Sequence, residues 1–169
     1  MILNLRSAIN DRQFNVRIRI IQEGKPRNAN LRALQTDYET RIRHFVDLRI
    51  EDRPAVGRAE GSRPRIQSAG SRRWLESLRQ SYKVLLDPCG HEWNSEEFAE
   101  WLGERALRGT RELVFLVGGD KGFAPAVREQ ADLLLGLSRM TLTHEWACTL
   151  LLEQIYRGFT ILRGYPYPR

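Results

Sequence analysis

Three glycines stand directly after an apolar run near the middle of the chain. Residues 112–117 read ELVFLV, and Gly118, Gly119 and Gly122 follow within five residues. Glycine tolerates positive φ angles and lets a ligand approach the backbone, so this stretch predicts either the floor of a ligand pocket or a plain tight turn. The spacing matches neither the dinucleotide fingerprint GxGxxG nor the P-loop GK[ST], which disfavours a phosphate cradle. A neutral or cationic cofactor held by backbone groups remains open.

Histidine and cysteine occur in two pairs whose spacing is compatible with metal ligation. His144 and Cys148 are four residues apart at the start of a predicted helix, and Cys89 lies near His91. No further ligand completes either set, so we predict no metal site. The GxSxG elbow of serine hydrolases is missing, and neither cysteine belongs to a CxxC pair. The two cysteines therefore indicate a reducing compartment, and we expect the cytoplasm.

Positive charge is concentrated in the first part of the chain. Residues 1–73 hold 16 Lys or Arg against 8 Asp or Glu, whereas residues 74–169 hold 11 against 13. Arginine accounts for nearly all of the excess, and its planar guanidinium matches phosphate groups. The asymmetry predicts an anionic partner, nucleic acid above all, although a solvated arginine-rich surface is the alternative. No apolar run reaches the ~18 residues of a membrane span, so no membrane partner is expected.

Strand and helix patterns alternate along the chain. Strands are predicted over 16–21, 45–50, 82–87 and 112–119, helices over 28–45, 74–80, 94–108, 125–135 and 145–162, and a strand or tight loop over 136–143. The alternation predicts an α/β fold with a parallel sheet that helices cover on both faces. Ligands of such sheets bind beyond the carboxyl ends of the strands, which places 86–90, 117–122 and 136–144 at the expected site. The residues 53–73 predict a basic loop, and the tryptophans are expected in or at the edge of the core: Trp74, Trp93, Trp101 and Trp146.

Four blocks in the second half of the chain resemble the ribosomal RNA large subunit methyltransferase H family of the SPOUT superfamily. They read Leu86-Asp87-x-x-Gly90, Gly118-Gly119-x-x-Gly122, Leu137-Ser138-x-x-Thr141-Leu142-x-His144 and Glu153-x-x-Tyr156-Arg157-Gly158. The segment 16–55 also looks like the family's first strand, helix and second strand. The resemblance covers residues 16–169, so we expect one SPOUT methyltransferase domain there and an N-terminal extension over residues 1–15.

The resemblance implies a fold, a cofactor, a reaction and an assembly. The fold would be a parallel α/β sheet with a C-terminal trefoil knot, which pattern reasoning alone would not propose. S-adenosylmethionine would be bound in the knot. The reaction would be methylation of N3 of a pseudouridine in 23S rRNA of the large ribosomal subunit, and the enzyme would be a homodimer.

The resemblance also implies roles for individual residues. His144 is the candidate base for the N3 proton, beside a plain role as a hydrogen-bonded residue at a helix start. Arg157, Tyr167 and Arg169 would meet the RNA, the target base or the dimer partner. The long helix that carries Glu153 would pack at the dimer interface, with the tail near the partner's active site. The cofactor-binding positions would be Leu86, Gly118, Gly119, Leu137, Ser138, Arg139, Met140, Thr141 and Leu142.

Two departures from the family pattern fall in segments that the resemblance assigns to RNA or target-base handling. The tail reads Tyr167-Pro168-Arg169 and lacks the family's histidine, and Cys148 stands where the family has arginine. These differences leave two alternatives open. One is a SPOUT methyltransferase that acts on another RNA, and the other is a non-catalytic RNA-binding module on the same scaffold.

Overall fold

The architecture is a five-stranded sheet in which every neighbouring pair of strands is parallel. The computed structural model describes residues 15–24, 26–53, 76–119, 123 and 125–167. Its strands are β1 (Arg17–Glu23), β2 (Asp47–Arg53), β3 (Tyr82–Glu92), β4 (Glu112–Val117) and β5 (Leu133–Gly136). Its helices are α1 (Ala29–Ile42), α2 (Ser95–Leu107), α3 (Pro125–Arg128) and α4 (His144–Arg163). The strand order is β2-β1-β4-β3-β5, which confirms the predicted parallel α/β sheet.

Strand β4 lies at the centre of the sheet and shows why the apolar run is continuous. Leu113 and Phe115 face one cluster, into which α1, α2 and α4 pack. Val114 and Leu116 face a second cluster, which holds Val127 of α3. Successive side chains of a strand point to opposite faces, so a strand covered on both sides must be apolar at every position. Helices on both faces were predicted, and the two clusters confirm them.

Local signals define the ends of the two longest helices of the second half. Asn94 accepts from the backbone N–H of Glu96 and Glu97, and the Glu97 carboxylate accepts from the Asn94 N–H, so the predicted capping box at the start of α2 is confirmed. Thr143 caps the start of α4. Gly164 ends α4 with a φ of 68°, a left-handed conformation that favours glycine.

The prediction of one helix over 125–135 is wrong. Helix α3 ends at Arg128, and the leucines from 133 onward form strand β5. Asp132 explains the change, because its backbone N–H donates to the Lys83 carbonyl and its carboxylate accepts from the Lys83 N–H at 2.8 Å. This exchange pins the chain to the edge of β3, and sheet pairing then overrides the helical pattern.

Other boundaries also differ from the sequence expectation. Strand β3 continues past residue 87 to Glu92, with a shift of register between Leu86 and His91. Trp146 was expected in or at the edge of the core but is 55% exposed, whereas Trp93 and Trp101 are half-buried against the core. Trp74 and the basic loop 54–73 lie outside the described residues. Within the described part of the chain, no helix has both the length and the apolar character of a membrane span.

Candidate functional site

The three loops predicted to form the site meet at one edge of the sheet, here called the carboxyl edge. In register, Leu85 pairs with Leu116 of β4, and Leu86 pairs with Leu135 of β5. Because the strands are parallel, the chain leaves β4, β3 and β5 on the same side. Residues 118 and 119 after β4 and residues 137–143 after β5 lie at this edge as predicted. Residues 86–90 do not leave the sheet as a loop, because they form an irregular part of β3 that pairs with β5 before and after it.

Two glycines of the carboxyl edge allow β3 and β5 to pack without side chains between them. A Cβ atom at Gly90 would lie 2.7 Å from the backbone of Leu134 and Leu135. A Cβ atom at Gly136 would lie 3.0 Å from the Gly90 carbonyl oxygen. The glycine of the Leu86-Asp87-x-x-Gly90 block is thus a packing requirement, and it keeps Leu86 beside β5.

The glycines after β4 are needed because neighbouring side chains approach their backbone closely, and not because they adopt positive φ angles. The described glycines with positive φ are Gly24, Gly109 and Gly164, so the turn after β4 does not require the left-handed region at residues 118 and 119. A Cβ atom at Gly118 would lie 2.9 Å from the ring of Phe123. At Gly119 it would lie 2.9 Å from a carboxylate oxygen of Glu23. Gly122 lies outside the described residues.

Glu23 was missed by the sequence reasoning, although it occupies the last position of β1. Its Oε2 accepts the backbone N–H of Gly119 at 2.9 Å. The bond joins the end of β1 to the turn after β4, its neighbour in the sheet. An acidic residue at the carboxyl end of a predicted strand was the signal available in the sequence.

The segment 137–143 crosses the carboxyl edge from β5 to β1. It begins after Gly136, which pairs with β3 at one border of the sheet, and ends at His144. The His144 ring lies beside Gly24, with 3.9 Å between Nε2 and the position of a Cβ atom on Gly24. Three strand spacings of about 4.8 Å separate β5 from β1, a distance of ~14 Å that seven extended residues cover easily. The crossing segment therefore passes over the ends of β3 and β4.

Few backbone polar groups between Arg139 and Leu142 have a hydrogen-bond partner among the residues that the structure describes. Among the described residues, this stretch of the crossing segment makes one hydrogen bond, from the Met140 N–H to Ser138 Oγ at 3.0 Å. Arg139, Met140 and Thr141 are exposed, and Ser138 and Leu142 are half-buried. Unpaired backbone donors and acceptors beside leucine side chains suit a ligand with a flat polar ring.

A cleft of about 320 Å³ adjoins the start of the crossing segment on the helical face. Trp93 and Phe98 form its aromatic wall, and Leu137 belongs to both the cleft and the crossing segment. Gln154 of α4 closes another side and accepts from Ser95 Oγ at 2.7 Å. Leu137 thus has the cleft on one side and the carboxyl edge on the other.

His144 is the first residue of α4 and faces the end of β1. Its Nε2 atom is buried and has no hydrogen-bond partner among the described residues. The neighbouring Glu145 carboxylate accepts the backbone N–H of Arg27, and Gln35 donates to the Glu145 carbonyl at 3.1 Å. These bonds hold the start of α4 against the loop between β1 and α1.

Asp87 is a second residue that the sequence reasoning did not single out for a role. It is buried, with one carboxylate oxygen 2.5 Å from the Arg128 guanidinium and the other accepting the Cys89 N–H at 2.9 Å. The pair fixes the turn of β3 onto α3. A buried carboxylate needs such a charged partner, because removing an unpaired charge from water costs on the order of several kcal/mol even after the protein has relaxed around it.

The predicted RNA or interface residues of the C-terminal part lie elsewhere, along α4. Arg157 pairs with Glu153 at 2.6 Å and stacks over the Tyr167 ring at 4.7 Å. Tyr167 packs edge-on against Tyr156 at 4.9 Å, and its hydroxyl lies 3.1 Å from the hydroxyl of Tyr38. Burial raises the pKa of the Tyr167 phenol. The tail is therefore packed on helices of its own chain, and Arg169 lies outside the described residues.

Cys148 is fully buried among the apolar residues shared by α4 and the sheet. The expectation that this departure lies on an RNA-handling surface is therefore wrong for this chain, because the side chain belongs to the core. No group of three or more potential metal ligands occurs among the residues that the structure describes.

The sequence profile described as "Predicted SPOUT methyltransferase" matches residues 16–168. The chain belongs to the SPOUT methyltransferase family. Three similar proteins carry the name ribosomal RNA large subunit methyltransferase H. That of Deinococcus radiodurans is 37% identical over 91% of this chain and 99% of its own length, and that of Symbiobacterium thermophilum is 38% identical over 90% and 99%. That of Porphyromonas gingivalis is 36% identical over 90% and 98%. The resemblance inferred from the four sequence blocks is thereby confirmed, and with it a methyltransferase that uses a methyl donor.

Proposed function

We propose that this protein transfers a methyl group from S-adenosylmethionine to N3 of a pseudouridine in 23S rRNA of the large ribosomal subunit. The observation that carries the proposal is the convergence of Leu86, Gly118 and the crossing segment 137–143 at one edge of the sheet. The names of the similar proteins supply the large-subunit rRNA as substrate class. A trefoil knot around this edge is part of the proposal.

The carboxyl edge fits S-adenosylmethionine by the chemistry of its groups. Leu86, Leu137 and Leu142 would enclose the adenine, and the free backbone groups between Arg139 and Leu142 would bond its polar edge and the ribose. Gly118 and Gly119 would leave room for the rest of the molecule. When bound, the cofactor supplies a methyl group already activated on a sulfonium.

The residues of this chain then have two tasks, namely orientation and proton removal. Holding the target ring in line with the methyl carbon can contribute ~7–11 kcal/mol to lowering the barrier. N3 carries a proton, and its removal leaves the electron pair that forms the new nitrogen–carbon bond. His144 Nε2 is the proposed acceptor of that proton, because this ring nitrogen at the carboxyl edge has no hydrogen-bond partner within the described part of the chain.

We further propose that the protein acts as a homodimer in the cytoplasm, where its substrate is found. Large apolar side chains exposed on and beside α1 and α4 support a second copy: Leu34, Met140 and Trp146. In that assembly Arg157, Tyr167 and Arg169 would approach the partner's RNA site. The proposed N-terminal extension, residues 1–15, lies outside the matched residues 16–168.

The test is methyl transfer from labelled S-adenosylmethionine to large subunits and to whole ribosomes from cells that lack this modification. We expect label on N3 of a single pseudouridine, and a His144→Gln variant that binds the cofactor but transfers about 10²-fold more slowly. Glu104→Gln, at a half-buried position in the last turns of α2, is the control and keeps full activity.

Two results would redirect the proposal. Label in a different RNA would favour the alternative substrate that the altered tail left open. Cofactor binding without any transfer would favour a binding module on the same scaffold.

A further inference from the structure

Ion pairing divides the arginines of this protein into two groups. Asp47 is shared by Arg17 and Arg49, and Glu51 by Arg19 and Arg53. In all, ten arginines of the described residues have a carboxylate oxygen within 4.0 Å, which compensates their charge at least in part: Arg17, Arg19, Arg41, Arg43, Arg49, Arg53, Arg79, Arg108, Arg128 and Arg157. Arg27, Arg32 and Arg139 have no such partner among those residues, and all three are exposed. Their positive charge therefore faces solvent.

These three arginines lie around the carboxyl edge. Arg27 precedes α1 and Arg32 is in its first turn, so both follow the end of β1. Arg139 belongs to the crossing segment that passes over the ends of β3 and β4. Two further arginines, Arg105 and Arg111, also have no carboxylate partner in the described ranges, and they lie at the opposite edge, where α2 ends and β4 begins.

The position of the first two arginines is held by hydrogen bonds. The Arg32 guanidinium donates to the Pro26 carbonyl at 2.6 Å, and the backbone N–H of Arg27, not its guanidinium, donates to the Glu145 carboxylate. Gln35 of α1 adds bonds to the Glu145 carbonyl and to Thr149 Oγ1, each 3.1 Å long. The loop before α1 and the start of α4 thus form one rigid support, and a preorganised guanidinium loses less conformational entropy on binding an anion.

We infer that Arg27, Arg32 and Arg139 form the surface that contacts RNA phosphates on both sides of the target nucleotide. The inference rests on the proposed function and adds to it the location of the RNA backbone. Guanidinium groups make charge-assisted, bidentate bonds to phosphate. The two sides of the surface, the start of α1 and the crossing segment, border the edge at which the methyl group is transferred, so a strand bound to both presents a base to that edge.

The experiment measures how salt weakens binding of the full-length protein to purified large ribosomal subunits that lack the modification. Each phosphate contact contributes about 0.7–0.9 to the slope of log K against log salt concentration. The triple variant Arg27→Gln, Arg32→Gln, Arg139→Gln should reduce the slope by about 2–3. Affinity at low salt should fall accordingly, and the single variants should each reduce the slope by about 1.

A charge-matched control separates local contacts from net charge. The triple variant Arg79→Gln, Arg108→Gln, Arg111→Gln removes the same charge from the opposite edge and should leave the slope within about 0.5 of the wild type. Circular dichroism and thermal unfolding check that each variant is folded; if the first triple does not fold, the single variants carry the test.

The outcomes distinguish this inference from the function on which it rests. Equal slopes for the two triple variants, with methyl transfer by the wild type intact, would overturn the arginine surface alone. Failure of the wild type to bind or methylate large subunits would overturn the proposed function and the surface with it.

Discussion

The two edges of the sheet are built in opposite ways. At the amino edge, where α1 and α4 end, aromatic rings fill the space: Phe45 stacks on Phe159 at 5.5 Å and contacts Tyr156 and Tyr165 at 6.0 Å. At the carboxyl edge, glycines bring backbone segments together, and the Glu23 and Asp87 carboxylates accept hydrogen bonds from the backbone N–H groups of Gly119 and Cys89. Packing therefore stabilises one edge, whereas backbone geometry shapes the other.

The difference separates stability from function within a chain of 169 residues. In the aromatic cluster the rings pack on one another, with Phe159 fully buried and Phe45 and Tyr156 half-buried, and a cavity of about 530 Å³ lies beside Phe45. An edge made of backbone and glycine keeps polar groups available, and a cofactor can bond to them. The predictions below test whether the two edges can be disturbed independently.

The largest expected effect is on the amino edge. Phe159 is 1% exposed, and Phe159→Ala should lower the free energy of unfolding by about 3–5 kcal/mol, measured by denaturant titration. Tyr165→Ala, at a 59% exposed ring of the same cluster, should cost less than half as much. At low temperature, where the Phe159→Ala variant remains folded, its affinity for S-adenosylmethionine should equal that of the wild type. A loss of affinity in that folded variant would mean that the edges are coupled.

A substitution at the carboxyl edge should affect both stability and the site. Gly90→Ala places a methyl group 2.7 Å from the backbone of β5, which cannot yield as a flexible side chain can. We expect about 1–3 kcal/mol of destabilisation and loss of measurable cofactor binding. Gly109→Ala is the control, because that position has open space and a φ of 75°. It should cost about 1 kcal/mol through backbone strain alone and leave the affinity unchanged.

A finer test removes the hydrogen bond between Glu23 and Gly119. Glu23→Ala should weaken cofactor binding about tenfold, because the turn after β4 loses its tie to β1. Glu23→Gln retains an acceptor oxygen and should recover most of the affinity, as measured by calorimetry. Equal losses in the two variants would show that the negative charge, and not the hydrogen bond, is what the site requires.

The smallest effect at neutral pH concerns the two cysteines. Cys89 is exposed at the carboxyl edge and should react with a thiol reagent in the native protein, whereas Cys148 should react only after unfolding. Burial raises the pKa of the Cys148 thiol to about 12. Because the folded pKa lies above the unfolded value of about 8.5, the stability from this thiol is complete below that pH and is lost as the pH rises towards 12. If both cysteines were labelled in the native state, the prediction would be wrong, because α4 would have to separate from the core to expose Cys148.

Prediction from sequence succeeded where the signal was local. The apolar run of β4, the capping box of Asn94 with Glu97, and the family blocks were each read correctly from neighbouring residues. It failed at 125–135, since the leucines that become β5 fit a helix equally well until β3 is present to pair with them. It also placed Cys148 where RNA or the target base would be handled, because the resemblance to the family assigns an arginine to that position, whereas the cysteine of this chain is buried in the core.

By itself, the sequence determined the parallel α/β architecture, the family, and the three segments that supply the carboxyl edge. Periodicity and glycine spacing are properties of short stretches of sequence, so they can be recognised without knowledge of the tertiary structure. Only the tertiary structure decided that Glu23 bonds to Gly119, that the crossing segment brings His144 beside Gly24, and that the exposed arginines lacking a carboxylate partner include three around the same edge. The residues in these contacts are far apart in the sequence, 96 positions for Glu23 and Gly119. The contacts depend on the strand order, which no local pattern encodes.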